Sequence, residues 1–454
     1  MQTQAGLTRR IAQHARAIRH DTIPADIRAL AMQCVLDAIG VSIAGADDEL
    51  VRILAAELAA EGGREAAGIA GLALRLPPLA AALLHGTAAH ALDYDDVNLT
   101  MPGHPTVAIL PAVLALAEER GSSGADIITA FLAGYETACR VGATISPGHY
   151  DAVGFHATGT VGTFGAAAAC AHLLGLDEAQ TVHALGIAAT EAAGLKSMFG
   201  TMCKPLHAGH AARNGLLAAR LAARGFTARP DSIECEQGFA ATHSPDFNPE
   251  AAFTLPAGAW HIRNNLFKYH AACYLTHSGI EAARKIREGH AIRPDQIAAI
   301  TLRVDQATDR VCNIAAPRTG LEAKFSLRLT AAMALAGHET GRLDLYNQTT
   351  VNDPELVALR DRVVIDFQQG WSYTRAEMDI SLFDQTTRHA THDAGIPATD
   401  IAQQGRRLEE KFLALASPVL GETQAHTLRD AILRLDTAAN LDTITANWAP
   451  QRAA

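Results

Sequence analysis

Apolar residues recur at helical spacing through most of the first half of the chain. Segments 25–45 (ADIRALAMQCVLDAIGVSIAG), 78–92, 106–120, 124–141, 158–175, 177–194 and 205–224 carry them three or four positions apart, and many end at glycine. Pro205 in a first turn and Gly225 beyond the last turn frame one of these helices in the expected way. From about residue 255 the pattern changes. IAAITLRVD (297–305), DRVVIDFQ (361–368) and AEMDISLF (376–383) alternate or run apolar over short spans, which predicts strands. Helical stretches at 276–289 and 322–336 lie between them, and helical spacing returns after about residue 400 through EEKFLALA and 425–435. No repeat of about 20–50 residues and no low-complexity linker interrupts the chain. The pattern predicts a mainly α protein: a large helical domain over 1–255, a smaller α+β domain over 256–400, and C-terminal helices over 401–454 that return to the helical body.

Composition narrows the function classes. The 454 residues are 48% hydrophobic and 19% charged, enough to bury a sizeable core. A net charge of −10 and an aromatic content of 5% argue against nucleic acid or an anionic membrane as partner. Seven cysteines without a CxxC pair favour a reducing compartment, so a cytoplasmic protein is expected. The opening MQTQAGLTRRIAQHARAIRH has no apolar signal core. Its arginines mimic a mitochondrial presequence, but Leu7, Ile11 and Ile18 keep the spacing of an ordinary first helix. Ala157–Leu176 lacks Asp, Glu, Lys and Arg, yet its Gly159, Gly162 and Gly165 suit close helix packing rather than a membrane span.

Four groups of ionisable residues sit at glycine-rich joints. The first runs from His85 and His90 through Asp93, Tyr94, Asp95 and Asp96 to His104, where a helix should end. Carboxylates at that negative helix end should be raised in pKa unless a cation compensates, which suits a general acid or base; a solvated acidic turn is the plainer reading. The second is His156 before the Ala/Gly-rich helix, where a structural histidine is equally expected. The third, GTMCKPLHAGH over 200–210 followed by Arg213, places Lys204 at an N-cap and His207 in the first turn. Helices favour acids there, so this positive charge predicts an anionic, carboxylate-bearing ligand. The fourth is Lys268 with His277, which alone reads as a solvated lysine and a packed histidine. No HExxH, Walker loop, GxGxxG or GxSxG occurs, and a metal site from Asp93, Asp95, Asp96 and His104 is a minor alternative.

Taken in order, HGTAAHALDYDDVN…MPGHPTVAILPAVLALAEERGSSG, GFHATGTVGTFGAAAACAHLLGL, GTMCKPLHAGHAARNGLLAARLAARGF and LFKYHAACYLTH resemble the MmgE/PrpD family. EAKFSLRLTAAMALA and the late EEKF are similar to family segments too, so the likeness runs from about residue 5 to 415. Family members include 2-methylcitrate dehydratase, cis-aconitate decarboxylase and iminodisuccinate epimerase. The resemblance implies a helical domain built from both chain ends, an α+β lid domain, a site in the cleft between them, a homodimer and no required organic cofactor; no metal is expected. It implies a pocket of Asp93, His104, His156, Lys204, His207, Lys268 and His277; the first five are expected to be catalytic, and Lys268 and His277, with Asp96 and Arg213 of the same groups, to bind substrate. Val97 stands where many members carry Thr, and Leu329 where some carry Tyr. A missing proton-donating hydroxyl counts against cis-aconitate decarboxylation, so 2-methylcitrate-type dehydration is expected first, dicarboxylate epimerisation second and decarboxylation third. All three need proton transfer beside a carboxylate. A metal-dependent hydrolase and a non-catalytic polycarboxylate-binding protein are the readings from other classes.

Overall fold

A computed structural model describes residues 6–451; residues 1–5 and 452–454, the outer ends of the expected first and last segments, lie outside the described residues. The chain forms two compact units, Met1–Phe267 joined by Thr399–Ala454, and Lys268–Ala398. The first unit runs on past residue 255 because Ile262 and Leu266 bury there and Leu266 pairs its backbone with Val97.

The helical unit contains α1 (Leu7–Ala17), α2 (Ala25–Gly45), α3 (Glu49–Glu61), α4 (Pro78–His90), α5 (Pro105–Arg120), α6 (Gly124–Ile145), α7 (Ala157–Leu173), α8 (Glu178–Glu191) and α9 (Cys203–Ala223). Local signals set these bounds. Pro105 opens α5, and Gly121 closes it in the left-handed conformation. Capping boxes at Ser123–Asp126 and Asp177–Gln180 open α6 and α8. The hairpin β1 (Ala67–Ile69) and β2 (Leu72–Leu76) follows α3. The uncharged α7 is buried along nearly its whole length, and its glycines let neighbouring helices touch backbone. A Cβ at Gly162 would stand 2.5 Å from Ala108 Cβ of α5, and one at Gly165 would stand 2.7 Å from Ile109 Cδ1. Among the described residues one helix, α2, is long and apolar enough to cross a membrane, and 78% of its apolar window is buried in the protein.

The second unit holds α10 (His277–His290), α11 (Leu327–Leu335), α12 (Pro354–Arg360) and a sheet of β3 (Ile297–Asp305), β4 (Val363–Gln368), β5 (Arg375–Leu382) and β6 (Thr387–Asp393). Strand order is β4-β3-β5-β6, with β3 parallel to β4 and antiparallel to β5. Ile300, Leu302 and Val304 of β3 alternate inward with Met378 and Ile380 of β5 to meet Ile280 and Ile286 of α10. After Thr399 the chain rejoins the first unit as α13 (Ile401–Leu420) and α14 (Glu422–Leu433). There Lys411 of α13 reaches Asp37 of α2 at 2.6 Å, both buried.

Candidate active site

Four helix ends and one turn of the helical unit converge on a cluster of imidazoles and carboxylates. His90 is the last residue of α4, and the turn after it carries Asp93, Asp95 and Asp96. His104 caps α5 and His156 caps α7, while Lys204 and His207 lie in the opening turns of α9. The N-cap of α9 is Met202, so Lys204 is the second helical residue rather than the cap itself; the helix begins two residues earlier than Pro205 predicts. Glycines bring α4 and α9 together. A Cβ on Gly209 would lie 2.1 Å from Leu83 O, and one on Gly86 would lie 2.9 Å from Gly209 Cα.

The contacts are short. Lys204 Nζ lies 2.8 Å from Asp93 Oδ2, and His104 Nε2 lies 3.6 Å from Asp93 Oδ1. Asp95, fully buried, receives His90 Nδ1 at 3.0 Å. His104 Nδ1 is also 3.0 Å from Asp95, but off the axis of a proper hydrogen bond. His156 Nδ1 meets His207 Nδ1 at 3.0 Å, so one ring donates and the other accepts. The rings of His90 and His156 stack at 5.8 Å. Phe199 stands edge-on to His156 at 5.0 Å, with Lys204 Nζ 5.3 Å from its ring centre.

Charge is sorted sharply here. Burial, reinforced by the positive groups around them, drives His90 and His207 down to about 4, and drives His156 well below the usual histidine range. These three imidazoles are neutral at pH 7. Burial alone would raise Asp95, but His104 and His90 outweigh it and hold the carboxyl well below the ordinary value. A compensating cation allowed for at the helix end is therefore present, since Lys204 serves Asp93, while Asp95 is held by the imidazole of His90.

Not every expected site residue joins this cluster. Asp96 turns away into the interior, where its Oδ2 accepts from Thr106 Oγ1 at 2.5 Å and from Asn265 Nδ2 at 2.9 Å. Arg213 is exposed on α9. Nine residues beyond Lys204, it lies about 13 Å along the axis and on the opposite face, because 3.6 residues make a turn. Lys268 and His277 belong to the second unit. Both are buried there, and the His277 ring sits 4.9 Å from His270. Val97 is nearly buried, and its backbone N–H and C=O both pair with Leu266. Leu329 is fully buried near the start of α11. Phe199 is a member that the sequence does not point to, while His90 and Asp95 stand in the first sequence group without a site role assigned to them. The spacing of His90 to Asp95, with a helix end between, is the signal that could have given these two their role.

Ligand atoms of His90, Asp93, Asp95 and His104 lie within 4.8 Å of one another, so these four could hold a metal ion. Asp96 is not among them. An ammonium 2.8 Å from Asp93 opposes a divalent cation at that spot.

Neutral imidazoles in hydrogen-bonded contact beside a lysine are groups suited to proton transfer and to holding an anion. Residues 9–252 match the MmgE/PrpD N-terminal domain, and residues 270–437 match the MmgE/PrpD C-terminal domain. The chain belongs to the MmgE/PrpD family, and it is an enzyme of the lyase class. A human protein named cis-aconitate decarboxylase is 30% identical over 390 residues, covering 82% of this chain and 79% of the relative. The mouse protein of the same name is 28% identical, covering 90% and 87%. One from Aspergillus terreus is 26% identical, covering 95% and 94%.

Proposed function

We propose that this lyase transfers a proton at a carbon next to a carboxylate of a small di- or tricarboxylate, using its own side chains. The observation that carries this reading is the Lys204–Asp93 ion pair set beside the neutral His156–His207 pair. Lys204 exchanges Asp93 for a substrate carboxylate, which fixes the neighbouring carbon near His156. The arriving negative charge raises the basicity of His156, so an imidazole that is neutral in the free enzyme can take a proton. His207 holds the other ring nitrogen and relays the proton, and Asp95 orients His90 and His104 behind it.

Loss of carbon dioxide is the favoured bond-breaking step, because relatives matching most of the chain bear the name cis-aconitate decarboxylase. In that reaction the electron pair of the broken C–C bond becomes the new C=C. The far carbon of the old double bond takes one proton from the histidine pair, and solvent restores it. A second reading, dehydration of a 2-methylcitrate-like hydroxy acid, draws on Val97 and Leu329. Leu329 cannot supply the proton-donating hydroxyl of members that carry Tyr there, and that loss counts against decarboxylation.

Proton NMR in D2O separates these outcomes on cis-aconitate, 2-methylcitrate, citrate and iminodisuccinate, with and without a chelator. Deuterium entering with CO2 release supports decarboxylation, and deuterium with loss of water supports dehydration. Exchange with neither bond broken marks epimerisation. Activity that disappears with the chelator and returns with a divalent metal sinks the metal-free reading. No exchange with any acid sinks the proton-transfer reading and leaves a polycarboxylate-binding protein.

A further inference from the structure

Residues 193–202 link α8 to α9 as a strap tied down at both ends. At its start His156 N–H donates to Gly194 O at 2.9 Å, and Lys196 N–H donates to Gly154 O at 2.9 Å. Leu195 and Phe155 pair there as an antiparallel bridge. The Lys196 ammonium donates to Tyr150 O at 2.9 Å and lies 3.6 Å from the centre of the Tyr150 ring. At the other end Thr201 Oγ1 donates to Met198 O at 2.7 Å and accepts from Cys203 N–H at 3.2 Å, while Lys204 N–H donates to Thr201 O at 3.2 Å. Between these ends one turn of 3₁₀ helix, Lys196–Met198, is closed by Phe199 N–H on Lys196 O at 3.0 Å. The backbone of Phe199 is thus fixed, yet its side chain stays 38% exposed.

A phenyl ring gains by leaving water, so a fixed backbone that keeps one partly in water holds an apolar contact surface open. Its position gives that surface a use. The ring stands edge-on to His156, with centres 5.0 Å apart and planes at 84°, and Lys204 Nζ lies 5.3 Å from its centre. On the proton-transfer reading, on which this inference rests, Lys204 and His156 flank the reacting carbon, so the ring borders that carbon too. The face of a phenyl ring is electron-rich: it attracts an ammonium and repels a carboxylate. It offers no hydrogen bond, so a charged or hydroxyl group pressed against it gives up water without a partner. A C–H, methyl or alkene carbon in the same place gains contact instead.

We propose that Phe199 is a specificity-determining residue, its ring receiving a hydrocarbon part of the substrate beside the reacting carbon and excluding a further carboxylate from that flank of Lys204. The acids admitted are those that present C–H or alkyl groups to the ring while a carboxylate reaches the ammonium.

Four succinates that differ only in the substituent on one carbon test this: hydrogen, methyl, ethyl and carboxylate. Calorimetric titration of the full chain reads their affinities without turnover. In the wild type each added carbon should tighten binding by about fourfold, and the carboxylate should bind more weakly than hydrogen. Phe199→Ala should flatten the alkyl order and relieve the penalty on the added carboxylate, whereas Phe199→Leu should keep both. Phe199→Gln, polar and of similar length, should favour the added carboxylate over methyl. Leu195→Ala removes another apolar side chain of the strap, 49% exposed, and should leave the wild-type order in place. For any acid that is turned over, the kcat/KM ratio between it and its methyl homologue should fall about fourfold in Phe199→Ala. A purely structural role would lower both values together and leave the ratio alone. The proposal is overturned by a wild type indifferent to the substituent, by a Phe199→Ala protein that keeps the order or weakens all four acids equally, or by binding of none of the four. Absence of proton exchange with every acid sinks the functional reading alone, because the binding order still decides the role of Phe199.

Discussion

Asp93→Asn separates a counter-ion from a base. Asp93 holds a positive φ of 50°, a conformation in which asparagine is among the best-tolerated residues, so the substitution removes charge without disturbing backbone. At 2.8 Å the attraction of Lys204 for Asp93 is about 1.5 kcal/mol at the dielectric of water and about 6 kcal/mol at an effective dielectric of 20. The Asp93 side chain is 53% exposed, so the lower figure governs, and side-chain ordering reduces it to about 1 kcal/mol net. A substrate carboxylate must displace Asp93 to reach the ammonium. Removing this competitor should lower KM by about 3- to 10-fold, the ratio that 1 kcal/mol or slightly more allows. The change in kcat should be small. Lys204→Met should instead raise KM by about 10- to 100-fold, the loss of one charge-assisted hydrogen bond. Steady-state kinetics at low and high salt measure both, and the Asp93→Asn advantage should shrink as salt screens the pair. The reasoning is refuted if KM holds constant while kcat drops by about 100-fold or more, because Asp93 would then be moving the proton itself.

Other perturbations probe the remaining parts of the site. His156→Ala should lower kcat by about 10²- to 10⁴-fold with a folded, thermally stable protein, and full activity would remove His156 from the chemistry. Gly209→Ala should cost about 1–3 kcal/mol, read as a lower melting temperature, because a Cβ there lies 2.1 Å from Leu83 O and forces α4 and α9 apart. That shift should also lower kcat, since α4 carries His90 and α9 carries Lys204 and His207. Burial holds His85 and His90 at about 4 in the folded chain against 6.5 in a free histidine. Protons bind the unfolded form first, so stability should decline as pH falls from about 6.5 to about 4, on the order of 3 kcal/mol for each group. Melting temperatures across that window check the sign.

Much of the fold was legible because the helices advertise themselves at both ends. Segments 25–45 and 124–141 carry apolar spacing over many turns, and the observed helices Ala25–Gly45 and Gly124–Ile145 start where they were expected. Strand β3 was equally plain, since Ile300, Leu302 and Val304 alternate inward. Strand β6 was not. Its sequence TRHATHD has no apolar face, because it is an edge strand with side chains half or fully exposed, and only pairing with β5 makes it a strand. The hairpin Ala67–Leu76 hid for another reason: its turn depends on Gly71 at a φ of 90°, and its first strand has only three residues.

The site was legible where it broke a local rule and obscure where it kept one. Lys204 and His207 stood out because positive groups at the start of a helix oppose its dipole, and the structure sets them against Asp93 and His156. In the acidic turn the residue types were visible, but their division of labour was not. Asp93, Asp95 and Asp96 are nearly adjacent in sequence, yet one faces a lysine, one serves two imidazoles, and one points inward to Thr106. Spacing along the chain does not encode that choice, because a turn with a left-handed residue at Asp93 sends successive side chains in different directions. Arg213 failed for the opposite reason. Its distance from Lys204 along α9 is fixed by helix geometry, and the half-turn phase that puts it on the far face could have been counted from the sequence alone. In this chain, then, helix phase decides which charges can meet, while the turn decides which partner each carboxyl finds: a lysine, two imidazoles or a hydroxyl.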